Sequence, residues 1–120
     1  RLPPLVHPSA SVSPRARLGS GVQVLAGAVV VTGARLGAGV LVNTGATVDH
    51  DCRIGASVHI APGAHLAGNV TVGRMAWVGI GAAVREGSRI GVQALIGAGA
   101  AVVNDVGAGA RVVGVPARPI

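Results

Sequence analysis

Hydrophobic positions recur every six residues along this chain. From Val6 to Val102, each sixth position is Val, Leu or Ile, which gives 17 consecutive matches without an insertion. Residues separated by an even number of positions share one side of an extended strand, whereas steps of six do not stay on one face of an α-helix. The pattern therefore predicts short extended units that repeat along the whole chain.

Two other positions of the hexad define the unit. The position four residues after each aliphatic one is small: Ala ten times, Val five times, and Cys52 and Ser88 once each. The position three residues after it is Gly in nine of 17 hexads, and Asp, Asn or Ser in several others, which are turn-forming residues. Each hexad is therefore predicted to be a short strand and a tight corner, with one large and one small side chain facing inward.

A longer period shows how the units stack. Glycine recurs at the same position of every third hexad, at Gly19, Gly37, Gly55, Gly73 and Gly91. Units this small cannot bury an apolar face alone, so they must stack into a solenoid. Three hexads per coil, with strands of successive coils roughly 4.8 Å apart, predict an all-β fold: a parallel β-helix of five to six triangular coils.

The β-helix is expected to span residues 6–107, with residues 108–120 as a tail that completes the last coil. The chain begins with Arg1 rather than Met, and residues 1–5 read as a linker. We therefore expect that an N-terminal domain is missing from this chain.

Composition narrows the classes of function. Trp77 is the only aromatic residue, so the surface offers no platform for base stacking, and we expect no nucleic-acid partner. The net charge of +6 comes from dispersed arginines, which suit a small polyanion such as a nucleotide cofactor. No apolar stretch is long enough for a membrane span, and no signal peptide is visible. Cys52 is the single cysteine, which favours a reducing compartment, the cytoplasm.

The hexad that begins at Val48 departs most from the pattern. It places Asp49, His50, Asp51 and Cys52 in succession, so two of the four acids flank a histidine. A histidine oriented by a neighbouring carboxylate is a standard general base. The same residues also fit an ordinary corner, in which Asp51 is a turn residue and His50 is a solvated surface side chain. The residues alone leave both interpretations open.

Gly68 stands one coil above His50, because equivalent positions three hexads apart share a vertical column. The missing side chain would let a substrate carbonyl approach a backbone N–H, which is the geometry of an oxyanion site. The alternative is that residues 68–69 form only a corner turn.

Zinc is the main competing chemistry, since γ-class carbonic anhydrases build a three-histidine zinc site on this fold. His50, His59 and His65 are separated by nine and six residues, which places them in different columns. We therefore predict no metal site. We interpret His65 as a surface histidine and His7, in the first coil, as structural or incidental.

The run Asn43–Cys52, followed by Ile54–Gly55 and Val58–Ala64, resembles one branch of the hexapeptide-repeat transferases. This branch is the bacterial sugar acetyltransferase family, which includes sialic acid O-acetyltransferase and the bacillosamine and perosamine N-acetyltransferases. The opening Val6–Ala10 and the closing Val113–Arg118 are also similar to that family. The resemblance covers nearly the whole chain and implies that the β-helix is left-handed, against the usual right-handed crossover.

The resemblance also implies an activity and a site. It implies a homotrimer with acetyl-CoA in the groove between adjacent prisms. It gives His50 the role of general base and Asp51, where the family commonly has Glu, that of orienting the imidazole. The remaining expected site residues are the cofactor contacts His59, Gly79, Ile80, Gly97, Ala98 and Arg118, and the substrate contacts Asn43 and Thr44.

We therefore expect an acetyl-CoA-dependent acetyltransferase that acts on the amino group of a nucleotide-linked sugar. His50 would accept the amine proton, and the Gly68 N–H would stabilise the oxyanion. The alternatives are O-acetylation of a sugar hydroxyl, acyl transfer to an amino acid as in serine acetyltransferase, and a non-catalytic trimeric scaffold.

Overall fold

The computed structural model describes residues 2–120. It is a left-handed parallel β-helix of about six coils, which confirms the predicted fold. Each hexad contributes a two-residue strand, and a corner separates it from the next. The strands are β1 Leu5–Val6, β2 Ser11–Val12, β3 Arg17–Leu18, β4 Gln23–Val24, β5 Val29–Val30, β6 Arg35–Leu36, β7 Leu41–Val42, β8 Thr47–Val48, β9 Arg53–Ile54, β10 His59–Ile60, β11 His65–Leu66, β12 Thr71–Val72, β13 Trp77–Val78, β14 Ala83–Val84, β15 Arg89–Ile90, β16 Leu95–Ile96, β17 Ala101–Val102, β18 Arg111–Val113 and β19 Arg118–Pro119.

The strands form the three faces of a triangular prism. Face A contains β1, β4, β7, β10, β13, β16, β18 and β19; face B contains β2, β5, β8, β11, β14 and β17; face C contains β3, β6, β9, β12 and β15. Within a face, strands three hexads apart pair in parallel through most of the prism, as His59 does with Trp77. The corners between faces A and B are called the AB edge, and those between faces B and C the BC edge.

From β4 to β17, the second residue of each strand and the small residue two positions before it are buried and fill the core. Val48 and Ala46 are fully buried, and Cys52 and Ser88 occupy the small position where other coils have Ala or Val. The largest fully buried side chains are aliphatic, with Ile60 and Leu66 among them. Because each rung adds one large and one small aliphatic residue, the interior is narrow and needs no aromatic side chain.

The corners depend on a left-handed backbone conformation. All nine glycines of the corner position have φ between 66° and 75°, where glycine has no steric penalty. Five other corners hold a non-glycine residue in the same conformation: Asp51, Ser57, Asn69, Met75 and Gln93, with φ between 58° and 62°.

The repeat shortens at the C-terminal end. Val106 bridges Ile90, and Arg111 pairs with Leu95, so the register here is shorter than the three hexads of the preceding coils. Val106 therefore lies next to Ile90 in the column of large inward residues. Its spacing of four residues from Val102 is instead that of the small inward residue of a hexad. Strand β18 extends face A, and β19 then turns back to pair antiparallel with it. None of residues 2–120 lies in a helix long and apolar enough to cross a membrane.

Candidate active site

His50 lies at the tip of a BC-edge corner, between β8 and β9. The corner is fixed from both neighbouring coils: Asp51 N donates to Thr32 O at 3.0 Å, and Asn69 N donates to His50 O at 2.9 Å. The Asp49 carboxylate accepts a bond of 2.7 Å from the His50 backbone N–H. The backbone that carries the imidazole is therefore held by the coil below, the coil above and its own preceding side chain.

Asp51 orients the imidazole. Its Oδ2 lies 3.1 Å from His50 Nδ1, and the two side chains are 59% and 48% exposed, respectively. An ionised carboxylate can only accept, so this contact places the proton of neutral His50 on Nδ1 and leaves the Nε2 lone pair free. A neutral imidazole in that tautomer can accept a proton from a substrate.

Gly68 provides the surface on which the imidazole rests. A Cβ at this position would overlap His50 Nε2 and would lie 2.6 Å from Cε1 and 2.8 Å from Cδ2. Gly68 O accepts a bond of 3.0 Å from Gly87 N, whereas Gly68 N–H has no acceptor within residues 2–120. The corner therefore presents a free backbone donor beside a potential base. The free N–H is common to the corners of this fold; the imidazole packed on a glycine is not.

Four of the predicted cofactor contacts lie on the AB edge. Successive corners are linked by bonds such as Gly81 N to Pro62 O at 3.0 Å and Gly99 N to Ile80 O at 2.8 Å, which stack Ile80 and Ala98 in one column. The other two, Gly79 and Gly97, precede them in the same corners. A Cβ on Gly79 would lie 2.8 Å from Ala98 N, so the close approach of successive coils explains glycine there.

His59 lies on face A beside this edge. Asn43 Nδ2 donates to His59 Nε2 at 3.2 Å, and the imidazole meets the Trp77 ring edge to face, with centroids 3.9 Å apart and an interplanar angle of 74°. Burial lowers the pKa of His59 from its ordinary value, because removal from water disfavours the charged form. Asn43 also accepts a bond of 2.8 Å from Thr44 N through Oδ1.

The predicted site residues thus form two groups. The structure brings His50, Asp51 and Gly68 together on the BC edge. It places Asn43, Thr44, Gly79, Ile80, Gly97 and Ala98 on the AB edge, with His59 adjacent, across the width of face B. Arg118 lies apart from both groups, in β19 at the C-terminal end of the prism.

The histidines occupy different surfaces, as their spacing predicted. His59 is on face A and His65 on face B, where His65 Nδ1 lies 2.8 Å from Thr47 Oγ1. His7 Nδ1 accepts a bond of 3.0 Å from Ser9 N. Among residues 2–120, no three His, Cys, Asp or Glu side chains converge in a way that could hold a metal ion.

Sequence reasoning missed two contacts of this region. The edge-to-face contact of Trp77 with His59 could have been found, because the two residues are three hexads apart and share a column. The bond from Asn43 to His59 spans 16 residues and depends on side-chain direction, which the repeat does not specify.

Comparison with solved structures identifies the fold's relatives. The acetyltransferase domain of PglB from Neisseria gonorrhoeae FA1090 is 50% identical over 99% of this chain, with a TM-score of 0.98, and one of its structures is a complex with acetyl coenzyme A. PerB from Caulobacter crescentus, in complex with CoA and GDP-perosamine, is 46% identical over 99% of this chain, with a TM-score of 0.98. This chain belongs to the hexapeptide-repeat sugar acetyltransferases.

Other structures of the family agree with this assignment. WeeI from Acinetobacter baumannii AYE is 31% identical over 94% of the chain, with a TM-score of 0.92. Two structures of the Caulobacter crescentus perosamine N-acetyltransferase carry a substitution of one histidine, by Asn or by Ala. The chain spans 58% of the PglB chain, 57% of PerB and 56% of WeeI. No protein-family model and no curated protein sequence matches it.

Proposed function

We propose that this chain transfers the acetyl group of acetyl-CoA to the amino group of a nucleotide-linked sugar. The observation that carries the proposal is the His50 imidazole, which Asp51 holds through Nδ1 and which packs on Gly68 with Nε2 free. Related structures contain acetyl-CoA, or CoA together with a nucleotide-linked amino sugar. A general base beside a free backbone donor is the arrangement that acyl transfer to an amine requires.

The reaction needs one proton acceptor and one oxyanion donor. The sugar amine attacks the thioester carbonyl and gives its proton to His50 Nε2, while Asp51 stabilises the imidazolium. The Gly68 N–H donates to the oxygen that becomes negative as the tetrahedral intermediate forms. Collapse of that intermediate releases the CoA sulfur, which takes the proton back from His50, and leaves the acetylated amine.

We propose that the acetyl donor binds along the AB edge. Gly79, Ile80, Gly97 and Ala98 present backbone and small side chains there, on which a long narrow ligand can lie. His59 would face the thioester end, and Arg118 at the end of the prism would meet the phosphates. Asn43 and Thr44, at a corner nearer the N-terminus, would contact the acceptor.

A complete site then requires a second protomer, and we propose a homotrimer. The two groups of site residues lie on opposite sides of face B. If face B turns toward a three-fold axis, the BC edge of one protomer meets the AB edge of the next. Most outward side chains of face B are small, which supports close approach at such an axis: Ser11, Val29, Thr47, Ala83 and Ala101. We place this assembly in the cytoplasm, where acetyl-CoA is available.

His50→Asn tests the proposal. The variant should bind CoA with unchanged affinity by calorimetry but should lose at least a hundredfold in the rate of acetyl transfer to a nucleotide-linked amino sugar. His7→Asn, in the first coil, is the matched control and should retain full activity. Full activity of His50→Asn would refute the proposed mechanism, and absence of CoA binding by the unmodified chain would favour a non-catalytic scaffold.

A further inference from the structure

Cys52 lies inside the prism, one coil below the corner that carries Gly68. It occupies the small inward position of its hexad and is fully buried. Its thiol Sγ donates to Ala67 O at 3.1 Å, a contact that joins successive coils across 15 residues. The proposed reaction gives this thiol no role, although the contact lies directly behind the proposed base and oxyanion donor.

The acceptor of this bond belongs to the peptide group that bears the proposed oxyanion donor. Ala67 O and Gly68 N–H are the two ends of one planar peptide, so a bond at the oxygen also limits rotation of the N–H. A bond accepted by the carbonyl polarises the peptide and strengthens its N–H as a donor, and this effect is larger where water is excluded. The buried thiol therefore acts on a donor that faces the outside of the prism.

The other BC-edge corners show what the thiol replaces. In three of them the corresponding carbonyl accepts the backbone N–H three residues later: Ser13 O from Ala16 N at 3.0 Å, Val31 O from Ala34 N at 3.3 Å, and Arg85 O from Ser88 N at 3.3 Å. In the two corners of the site, neither Asp49 O nor Ala67 O accepts a bond of this kind within residues 2–120. The thiol therefore holds the Ala67 carbonyl where other corners hold theirs by their own backbone.

Only a side chain with a proton to donate can make this contact. Ala or Val fills the small inward position in 15 of the 17 hexads, and neither can donate. Burial raises the pKa of the Cys52 thiol, because removal from water disfavours the thiolate. The thiol therefore keeps its proton and remains a donor, and its burial keeps it from acting as a nucleophile.

We propose that Cys52 is a positioning residue for the oxyanion donor. Its thiol fixes and polarises the peptide between Ala67 and Gly68, so that the Gly68 N–H points at the thioester oxygen as negative charge develops there. The inference rests on the proposed function, in which this N–H stabilises the tetrahedral intermediate. In this role the thiol forms no covalent bond and gives up no proton.

Substitutions that keep or remove the donor test the proposal on the full chain. Cys52→Ala and Cys52→Val introduce the side chains that most other coils carry at this position, so the fold should persist. Each should lower kcat by about fivefold, the effect of one ordinary hydrogen bond, with KM for acetyl-CoA unchanged. Cys52→Ser keeps a hydroxyl donor and should retain kcat within about twofold of the unmodified chain.

A role in packing alone predicts a different order of activities. Alanine is smaller than cysteine and valine is larger, so a steric role would make serine, which is also smaller and is polar, no better than alanine. The pH dependence of kcat should be the same in all three variants, because none of them removes a contact of the His50 imidazole.

Ser88→Ala is the matched control. Ser88 is the other polar residue at the small inward position, two coils further along the same edge, and the carbonyl of its corner is already held by the bond from Ser88 N to Arg85 O. Loss of its hydroxyl should leave kcat unchanged.

The thiol bond can also be measured without turnover. Cys52 is the only cysteine, so the S–H stretching band of the infrared spectrum belongs to it alone. This band should lie below the frequency of a free thiol in an apolar solvent, as a donated hydrogen bond requires. A band at the free-thiol frequency would overturn the proposal, as would a Cys52→Ser enzyme no more active than Cys52→Ala.

The outcomes separate this proposal from the function on which it rests. A Cys52→Ala enzyme with the kcat of the unmodified chain would refute the positioning role alone. An unmodified chain that has the shifted S–H band and binds CoA, yet transfers no acetyl group, would instead refute the proposed function, and the role of Cys52 would be refuted with it.

Discussion

The Asp51 carboxylate lies over the α-carbon of Gly33, one coil nearer the N-terminus. A Cβ on Gly33 would overlap Asp51 Oδ1 and would lie 3.0 Å from Cγ. The other carboxylate oxygen, Oδ2, meets His50 Nδ1 at 3.1 Å. The residue that orients the proposed base is therefore positioned by a missing side chain in a different coil, three hexads earlier in the sequence.

Gly33→Ala should lower acetyl transfer by displacing this carboxylate. The new methyl group would push Asp51 away from His50 Nδ1, so we expect kcat to fall by about tenfold or more, toward the value of Asp51→Asn, with the KM for acetyl-CoA unchanged. Because Gly33 has φ of 75°, the variant should also lose about 1 kcal/mol of folding free energy.

Gly87→Ala is the control for Gly33→Ala. Gly87 lies in the same column of the BC edge with φ of 72°, and a Cβ added there would have no atom within 4 Å. It should show the same loss of stability in chemical denaturation and no loss of kcat. Equal kcat values for the two variants would contradict the positioning role of Asp51.

Gly68→Ala should disable the site without unfolding the chain. A methyl group at this position would clash with the imidazole of His50, with Cε1 only 2.6 Å away. It would therefore displace the ring from its present position. We expect a loss of about a hundredfold in kcat, the lower end of what a positioned general base contributes, with an unchanged circular dichroism spectrum.

Gly107→Ala serves as the control for Gly68→Ala. It is also a corner glycine outside the left-handed region, and a Cβ there meets nothing within 4 Å. It should leave kcat unchanged. A fully active Gly68→Ala enzyme would show that the packing of His50 on Gly68 is incidental to the reaction.

Trp77 should report the titration of His59. The rings are in contact at a centroid distance of 3.9 Å, so protonation of the imidazole should quench the emission of Trp77. Because Trp77 is the only tryptophan, no other residue contributes to that emission. Because burial lowers the pKa of His59, the midpoint should lie below the ordinary value of 6.5. His59→Gln should abolish the transition, and the control His65→Gln should leave it unchanged. A midpoint above 6.5 would contradict the lowered pKa of His59.

The same pKa shift predicts how stability depends on pH. The unfolded chain binds a proton at His59 more readily than the folded chain, so protonation favours unfolding. Above the pKa of His59 in the unfolded chain, neither state is protonated and the folded chain keeps its full stability. Stability is then lost as the pH falls through that value toward the lower pKa of the folded chain. We therefore expect the unfolding free energy of the native chain, relative to that of His59→Gln, to decrease between about pH 8 and about pH 5.

The repeat made the columns predictable but not the side-chain directions. A period of three hexads placed Gly68 above His50, and this neighbour is present in the structure. The contact of Asn43 with His59 and that of Asp51 with Gly33 depend on rotamers, which periodicity does not determine. The shortened register at Val106 also escaped prediction, because four-residue and six-residue steps place a side chain on the same side of a strand.

Met75 should be a site where glycine stabilises the fold. Its backbone has φ of 62° and its side chain is 55% exposed, so it bears the steric penalty of the left-handed region without much burial. Relief of about 1–2 kcal/mol, less the entropy that glycine loses on folding, should leave Met75→Gly more stable by about 0.5–1 kcal/mol. Urea denaturation with an unchanged slope would measure it. Gly39→Ala, at φ of 70°, should shift the midpoint the opposite way, and a destabilised Met75→Gly would show that the Met75 side chain outweighs its backbone strain.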